Sequence, residues 1–431
     1  MAGNDARGTK KGFAVRTTFG EIFDNGQALE VVAPPSTEIV QLLHWTGADF
    51  QIGLEFQVGD AVYQAPRLHS SLLQAIQFPS TAGEYASPEE LFDAIASLIR
   101  QVTGLDGAAA TGAALWIRAS WFADLWPSPP LLSITGPERQ ALRLLRILRA
   151  LCRHSLMVAK LTRRLPFFLQ PTLVIYDPTL TTKDQAWWRA TNHNGVFVPD
   201  SDGTLRDLST AKAVYSGEND NFGDSWGPGA LRINFLPTFP PVPEWSADEE
   251  RQLTTLYQPK LLMFRLQNLA RVRAATSASR ETAGSELARN LLAGMQDSPE
   301  VVKTVNPLFD AYEDESSVRR RTDPKAILIE GLWGPSHQLP QIPVADLLTR
   351  LNSVLQSRGE NKQYTSRETG WQLRQLGIPR RRSSQGMFVE FSSELRRRVH
   401  VLARQFGLDL PRKENCPDCA GSQTDLVQEN V

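Results

Sequence analysis

At 431 residues and 41% hydrophobic content, the chain is long enough for roughly two to three domains with true cores. No apolar run reaches the ~18 residues needed to cross a bilayer, and the opening MAGNDARGTKKG lacks the apolar core of a secretory signal, so a cytoplasmic protein is expected. The net charge of -1 hides an asymmetry: residues 1–130 hold seven Lys/Arg against fourteen Asp/Glu, whereas residues 341–413 hold fourteen against six.

Residues 1–35 are polar and Gly-rich, end in Ala33-Pro34-Pro35, and read as a flexible arm. Residues 36–86 carry short β-like runs (Ile52 to Val58, Ala61 to Tyr63) and read as a small β-containing segment whose function is not legible. Ser87-Pro88-Glu89-Glu90 is a helix start, with Ser as N-cap, Pro in the first turn and acids beside the helix dipole. A second apolar helix is expected over Ala109 to Trp126.

An apolar strand (Leu131 to Ile134) then enters Thr135-Gly136-Pro137 and a long helix. Laying the phosphate-loop pattern G-x-x-x-x-G-K-[ST] on Gly136 puts Ala141 at the second glycine, Leu142 at the lysine and Arg143 at the hydroxyl residue. In such a loop the glycine lets backbone N–H groups wrap phosphate, the lysine neutralises charge and the hydroxyl holds magnesium. Ala, Leu and Arg supply none of these. The segment is therefore either an eroded nucleotide loop or an ordinary strand-to-helix turn. Along the helix, Arg143, Arg146, Arg149 and Arg153 share one side, which reads as a solvated basic face or a surface for acidic groups.

Leu173-Val174-Ile175-Tyr176-Asp177 is a buried-strand pattern ending in an acid, the layout in which a carboxylate holds magnesium beside a phosphate loop. The next position, where hydrolytic relatives carry Glu, is Pro178. Asp-Pro also starts turns, and that reading stays open. Short strands are expected at Ala211 to Tyr215 and Leu231 to Leu236, helix over 244–295, and a linker over 301–340. His193 in Asn192-His193-Asn194-Gly195 reads as part of a polar turn. Strands alternating with helices over 87–300 predict an α/β layer fold.

Residues 341–410 form a basic module. An amphipathic helix over 343–357 is followed by a capping box, Thr365-Ser-Arg-Glu368, that opens a second helix. Then come the basic loop Arg380-Arg381-Arg382, a strand Met387 to Phe391 and a helix carrying Arg396, Arg397 and Arg398. This order is that of a small winged-helix-like domain, a class that binds nucleic acid or other proteins. Arg374, Arg380, Arg381, Arg382, Arg396 and Arg397 are its candidate contacts to phosphate. In the tail, 411–431, read as disordered, Cys416-x-x-Cys419 supplies two of four zinc ligands, with His400 the nearest histidine. A complete site would need a partner chain, so no metal is expected. With Cys152 the only other cysteine, no disulfide framework exists.

Over residues 88–410 the chain resembles the P-loop ATPase domain, with its basic C-terminal module, of primase–helicase proteins from phages, plasmids and integrated elements. The likeness is carried by Ala113-Ala114-Leu115-Trp116 to Leu125, PSPPLLSITGP (127–137), PTLVIYDP (171–178), Ala213 to Gly217, GALRINFLP (229–237) and QPKLLMFRLQNLARV (258–272). The resemblance implies a RecA/AAA-like core, a ring-forming ATPase using ATP and magnesium, and an arginine reaching a neighbouring site, for which Arg232 is the nearest candidate. Only Gly136 and Asp177 match the functional positions, which implies a vestigial nucleotide site with no catalytic residues and no cofactor. The reading is a pseudo-ATPase scaffold associated with nucleic acid, with a possible homo-oligomer and no membrane. Two alternatives stand beside it: a working NTPase or helicase with an atypical loop, and a non-enzymatic DNA-binding regulator.

Overall fold

The computed structural model describes residues 14–35, 39–160, 165–199, 203–218, 230–236, 245–278, scattered positions between 288 and 309, 323–359, 361, 363–384, 386–413 and 416–420. They belong to two units, Met1–Phe309 and Asp310–Val431.

The first unit opens with β1 (Ala14–Thr17), β2 (Gly20–Ile22), β3 (Ala28–Val32), β4 (Gln41–Trp45), β5 (Phe50–Gly53), β6 (Glu55–Val58) and β7 (Ala61–Gln64). Strands β2 to β5 form an antiparallel sheet in chain order; β1 pairs parallel with β7, and β6 antiparallel with it. All five residues of β3 are buried, so residues 14–32 are not the flexible arm expected. The polar Glu30 disguised this strand: its charge is matched by arginines distant in sequence.

A short helix α1 (Ser70–Ala75) and β8 (Ile76–Gln77) lead to α2 (Pro88–Thr103), where Ser87 accepts a hydrogen bond from the Glu90 N–H at 3.1 Å as its sequence announces. Next in the chain are α3 (Gly107–Ser120), β9 (Leu131–Thr135), α4 (Glu138–Leu151), β10 (Ser155–Val158), β11 (Leu173–Tyr176) and α5 (Thr182–Ala190). A hairpin, β12 (Phe197–Pro199) and β13 (Leu205–Asp207), precedes β14 (Lys212–Tyr215), β15 (Ala230–Asn234) and the long α6 (Ala247–Ala278).

The central sheet has the order β15-β9-β14-β11-β10-β8; its first five strands are mutually parallel and β8 is an antiparallel edge. Burial on both faces explains runs such as LLSIT and LVIY that do not alternate. Leu29, Val31 and Leu42 of the N-terminal sheet share one core with Leu131, Leu173, Ile175 and Val214. Helix α4 packs against β10, β11 and β14 and against α6.

Arg143, Arg146 and Arg149 of α4 form neither a solvated face nor an open basic surface; Arg139, at its first turn, is exposed. Arg143 donates to the Val102 carbonyl at 2.7 Å, Arg146 to the Trp245 carbonyl, and Arg149 lies 3.4 Å from Glu250. Arg153, beyond the helix, pairs with Glu30 at 3.1 Å. Each of these cations is consumed inside the unit because α2, α6 and the N-terminal sheet close over that side.

Glu30, Arg153, Arg265 and Asp124 make one buried network. Arg265 donates to Glu30 at 2.7 Å and to both Asp124 oxygens at 2.9 and 2.6 Å. Burial alone would raise both carboxyl pKa values, but the adjacent guanidinium groups outweigh it, holding Glu30 below its ordinary range and Asp124 at about 2. The network joins β3, the turn after α3, the end of α4 and α6.

The second unit contains α7 (Pro324–Gln338), β16 (Gln341–Pro343), α8 (Val344–Ser357), α9 (Ser366–Gln375), β17 (Arg381–Ser383), β18 (Gly386–Glu390), α10 (Ser393–Gln405) and a last turn, α11 (Pro417–Ala420). The strands form an antiparallel sheet ordered β16-β18-β17. Thr365 and Glu368 make the reciprocal capping box at the start of α9. Residues 324–338, expected within a linker, are a core helix: Ile327, Leu328, Ile329 and Leu332 pack with Leu347, Leu351, Leu373 and Val399. Likewise 416–420, expected in a disordered tail, are ordered, with Cys419 in that core. Residues 421–431 lie outside the described residues.

Candidate nucleotide and nucleic-acid sites

In open parallel sheets, ligands bind beyond the carboxyl ends of the strands, where chain connections diverge. Here β9 occupies that position, with β15 on one side and β14 on the other. Strand β9 leads into a turn of two residues, Gly136 and Pro137, before α4 begins at Glu138. The positions that a phosphate loop would keep open therefore lie in the first turns of a helix. Ala141 is fully buried, and Arg143 is directed at α2.

The one backbone N–H of this two-residue turn is already used, since Pro137 has none. The Gly136 N–H donates to Gly217 O at 3.1 Å, and the Gln140 and Ala141 N–H groups donate to Pro137 O at 3.2 and 3.1 Å. Gly136 has φ +106°, and a Cβ there would overlap the Phe235 carbonyl oxygen. Its glycine thus serves close packing against β15's exit. The Tyr215 hydroxyl donates to Gly136 O at 3.1 Å, and its ring stacks on Tyr176 at 5.5 Å. Tyr176 in turn donates its hydroxyl to the Glu138 carboxylate, whose hydrogen bond pushes the phenol pKa up to about 12. Glu138 places a negative charge at the N-terminus of α4, the position where a phosphate would need positive potential.

Asp177 lies just past β11, separated from the β9 turn by β14. It is buried, and one carboxylate oxygen, Oδ1, accepts from Thr179 N at 3.2 Å and Thr179 Oγ1 at 2.8 Å. This is a side-chain-closed turn of the kind Asp-Pro promotes. Arg232 sits mid-strand in β15 opposite Ser133, half-buried in the sheet. His193 accepts or donates at 2.7 Å to Ser128, within the polar turn expected.

In the second unit, α9 exposes Arg367, Trp371 and Arg374 along one side, and Trp371 retains 53% of its surface. The i, i+4, i+7 spacing makes these neighbours on the helix. The Arg380 guanidinium rests against Gly370 of α9, joining helix to hairpin. Arg382 is exposed on β17, and Arg381 is paired with Glu390 of β18 at 2.9 Å. Arg396 is half-buried on α10, and Arg397 lies 3.7 Å from Asp418. So Arg374, Arg380, Arg381 and Arg382 belong to a helix–hairpin pair, whereas Arg396 and Arg397 lie toward the C-terminal turn. Trp371 is absent from the residues that the sequence singles out; an aromatic flanked by arginines at helical spacing is the signal that could have found it.

The two cysteines of the tail also meet partners from their own chain. His337 of α7 and His400 of α10 converge on Cys416 and Cys419, with all four ligand atoms within 4.8 Å of one another.

No protein-family model matches the chain, and no curated protein matches it. Among solved structures it is similar to the apo NrS-1 C-terminal region (305–718), with 9% identity and a TM-score of 0.33 over 84% of this chain and 96% of that one. It is also similar to SCCmec type IV Cch, an active helicase, with 10% identity and a TM-score of 0.37 over 91% and 81% of the two chains. Cdc6p from Pyrobaculum aerophilum matches with 13% identity and a TM-score of 0.16 over 78% and 98%. At these scores the likenesses carry no argument about chemistry. Among the described residues, no helix is long and apolar enough to cross a membrane.

Proposed function

We propose that this chain is a non-hydrolysing relative of P-loop helicase-type ATPases that serves as a nucleic-acid-associated scaffold or accessory protein. The observation that carries this reading is the two-residue turn between β9 and α4, closed by Gly136 against Phe235 and fronted by the Glu138–Tyr176 pair. A parallel sheet with its candidate loop at the divergence of strands supports descent from a nucleotide-binding core. The Gly136 N–H bonded to Gly217, together with an acid at the helix start, supports loss of that activity.

Binding to DNA falls to the second unit. Its element order, helix–strand–helix–helix–hairpin–helix, supports a winged-helix-like domain, with α9 as the helix that enters the groove and β17–β18 as the wing. Trp371 offers an apolar surface to base edges and sugars, while Arg374, Arg380 and Arg382 offer cations to phosphate. Arg396 and Arg397 would make outer contacts, and self-association into an oligomer is compatible with this role.

The test is double. Purified full-length chain should show no ATP turnover and no shift in melting temperature with magnesium–ATP. It should bind duplex DNA with an affinity that falls with salt and drops when Arg380, Arg381 and Arg382 are replaced together by Ala. ATP hydrolysis abolished by Asp177→Asn would overturn the first half in favour of a working NTPase. DNA affinity indifferent to the arginine triple would overturn the second.

A further inference from the structure

We propose that His337, His400, Cys416 and Cys419 form a structural zinc site within the second unit. The four side chains come from three separate elements, α7, α10 and the turn at α11, and no local spacing motif links the histidines to the cysteines.

Four of the six ligand–ligand distances are those of a tetrahedron's edges, and all six lie within 4.8 Å. With Zn–N of about 2.0 Å and Zn–S of about 2.3 Å, a tetrahedral ion separates two nitrogens by about 3.3 Å and a nitrogen from a sulfur by about 3.5 Å. His337 Nε2 and His400 Nε2 are 3.2 Å apart. His400 Nε2 lies 3.2 Å from Cys419 Sγ and 3.5 Å from Cys416 Sγ, and Cys419 Sγ lies 3.4 Å from His337 Nε2.

An independent observation comes from the far side of each ring. His337 Nδ1 is 2.7 Å from the Trp333 carbonyl oxygen, and His400 Nδ1 is 2.8 Å from the Arg396 carbonyl oxygen. A carbonyl only accepts, so both Nδ1 atoms carry a proton, and in the neutral rings both Nε2 atoms present lone pairs. Two lone pairs facing each other at 3.2 Å repel unless a cation lies between them. Backbone carbonyls holding Nδ1–H are also the usual outer support of a metal-bound histidine, since they set the tautomer and the ring orientation.

The donor set selects the ion. Two thiolates and two imidazoles in tetrahedral array suit zinc rather than magnesium, calcium or square-planar copper. All four coordination positions are filled by protein, which makes the site structural and not catalytic. Its role is to fasten the C-terminal turn to α7 and α10, beside Trp333, whose indole N–H donates to the Pro411 carbonyl at 3.0 Å.

Metal analysis of the full-length chain, purified under reducing conditions from zinc-supplemented cells, should give one zinc per chain. After chelation, cobalt(II) alone should restore the intense visible bands of a tetrahedral thiolate-bound ion, and zinc should bleach them. The Cys416→Ser/Cys419→Ser double variant and His400→Gln should each lose metal, whereas His193→Gln, in an exposed turn, should keep it. Should the ligand variants fail to fold, the cobalt titration of the unaltered chain still decides. Metal-free protein that stays colourless with cobalt, or zinc retained in full after loss of both cysteines, would overturn the site. So would octahedral cobalt spectra lacking thiolate charge transfer.

Discussion

The Tyr176 hydroxyl donates a hydrogen bond to the Glu138 carboxylate, joining the end of β11 to the start of α4 across the carboxyl edge of the sheet. A carboxylate thus stands at the N-terminal end of α4, the end that would face a phosphate. Glu138 makes the start of α4 locally negative, where a bound phosphate would need positive potential.

Grafting the missing groups should therefore fail. The triple substitution Ala141→Gly, Leu142→Lys, Arg143→Thr places them inside α4, where Ala141 is buried and its N–H already donates to the Pro137 carbonyl. Isothermal titration should detect no magnesium–ATP binding. The loss of the Arg143 bond to Val102 should cost stability by about 1–3 kcal/mol. Micromolar ATP binding by the graft would show that the turn can open.

Gly136→Ala should destabilise the first unit by about 3 kcal/mol or more, because the new methyl meets the Phe235 carbonyl in a left-handed backbone. Denaturant unfolding measures this directly. A change under about 0.5 kcal/mol would mean that β15 and the turn are not in contact.

Acid should unfold the first unit in two stages. His154 is buried and its pKa is lowered to about 3, first by burial and then by Arg153. The unfolded chain takes up that proton below about 6.5, so stability falls as pH drops from there toward 3. Asp124, held at about 2, contributes stability that is complete above about 4 and lost as pH falls through 2, by roughly 2 kcal/mol. His154→Asn should flatten the upper stage and leave the lower one. Truncating the network itself, Arg265→Met, should cost about 3–5 kcal/mol at neutral pH by stranding Glu30 and Asp124.

Trp371→Ala should leave the melting temperature within a degree or two, since the side chain is half-exposed, yet weaken duplex DNA binding. Fluorescence anisotropy with labelled duplex measures the loss. Equal affinity in variant and parent would remove α9 from the interface.

Much of the local structure is legible in the residues alone. Ser87 and the Thr365–Glu368 pair announce their helices because a cap is a contact between residues three apart. The strands that end at Tyr176 and Tyr215, and the absence of lysine and hydroxyl after Gly136, are equally plain. Other readings fail for a common reason. Arg143, Arg146, Arg149 and Arg153 look like a solvent face on a helical wheel, but their partners Val102, Trp245, Glu250 and Glu30 come from remote segments. Glu30 hides a buried strand because its counter-charges lie 123 and 235 residues away.

The sequence by itself determined the elements and the chemical groups available, since propensity, capping and hydrophobic period act within a turn or a strand. It also determined that the lysine and hydroxyl of a phosphate loop are missing after Gly136. Only the tertiary structure decided the strand order, that Asp177 closes its own turn on Thr179, and that His337 and His400, 63 residues apart, meet the Cys416/Cys419 pair. These depend on helices and strands packing across long stretches of chain, where the matching surfaces are set by burial and charge pairing, not by spacing.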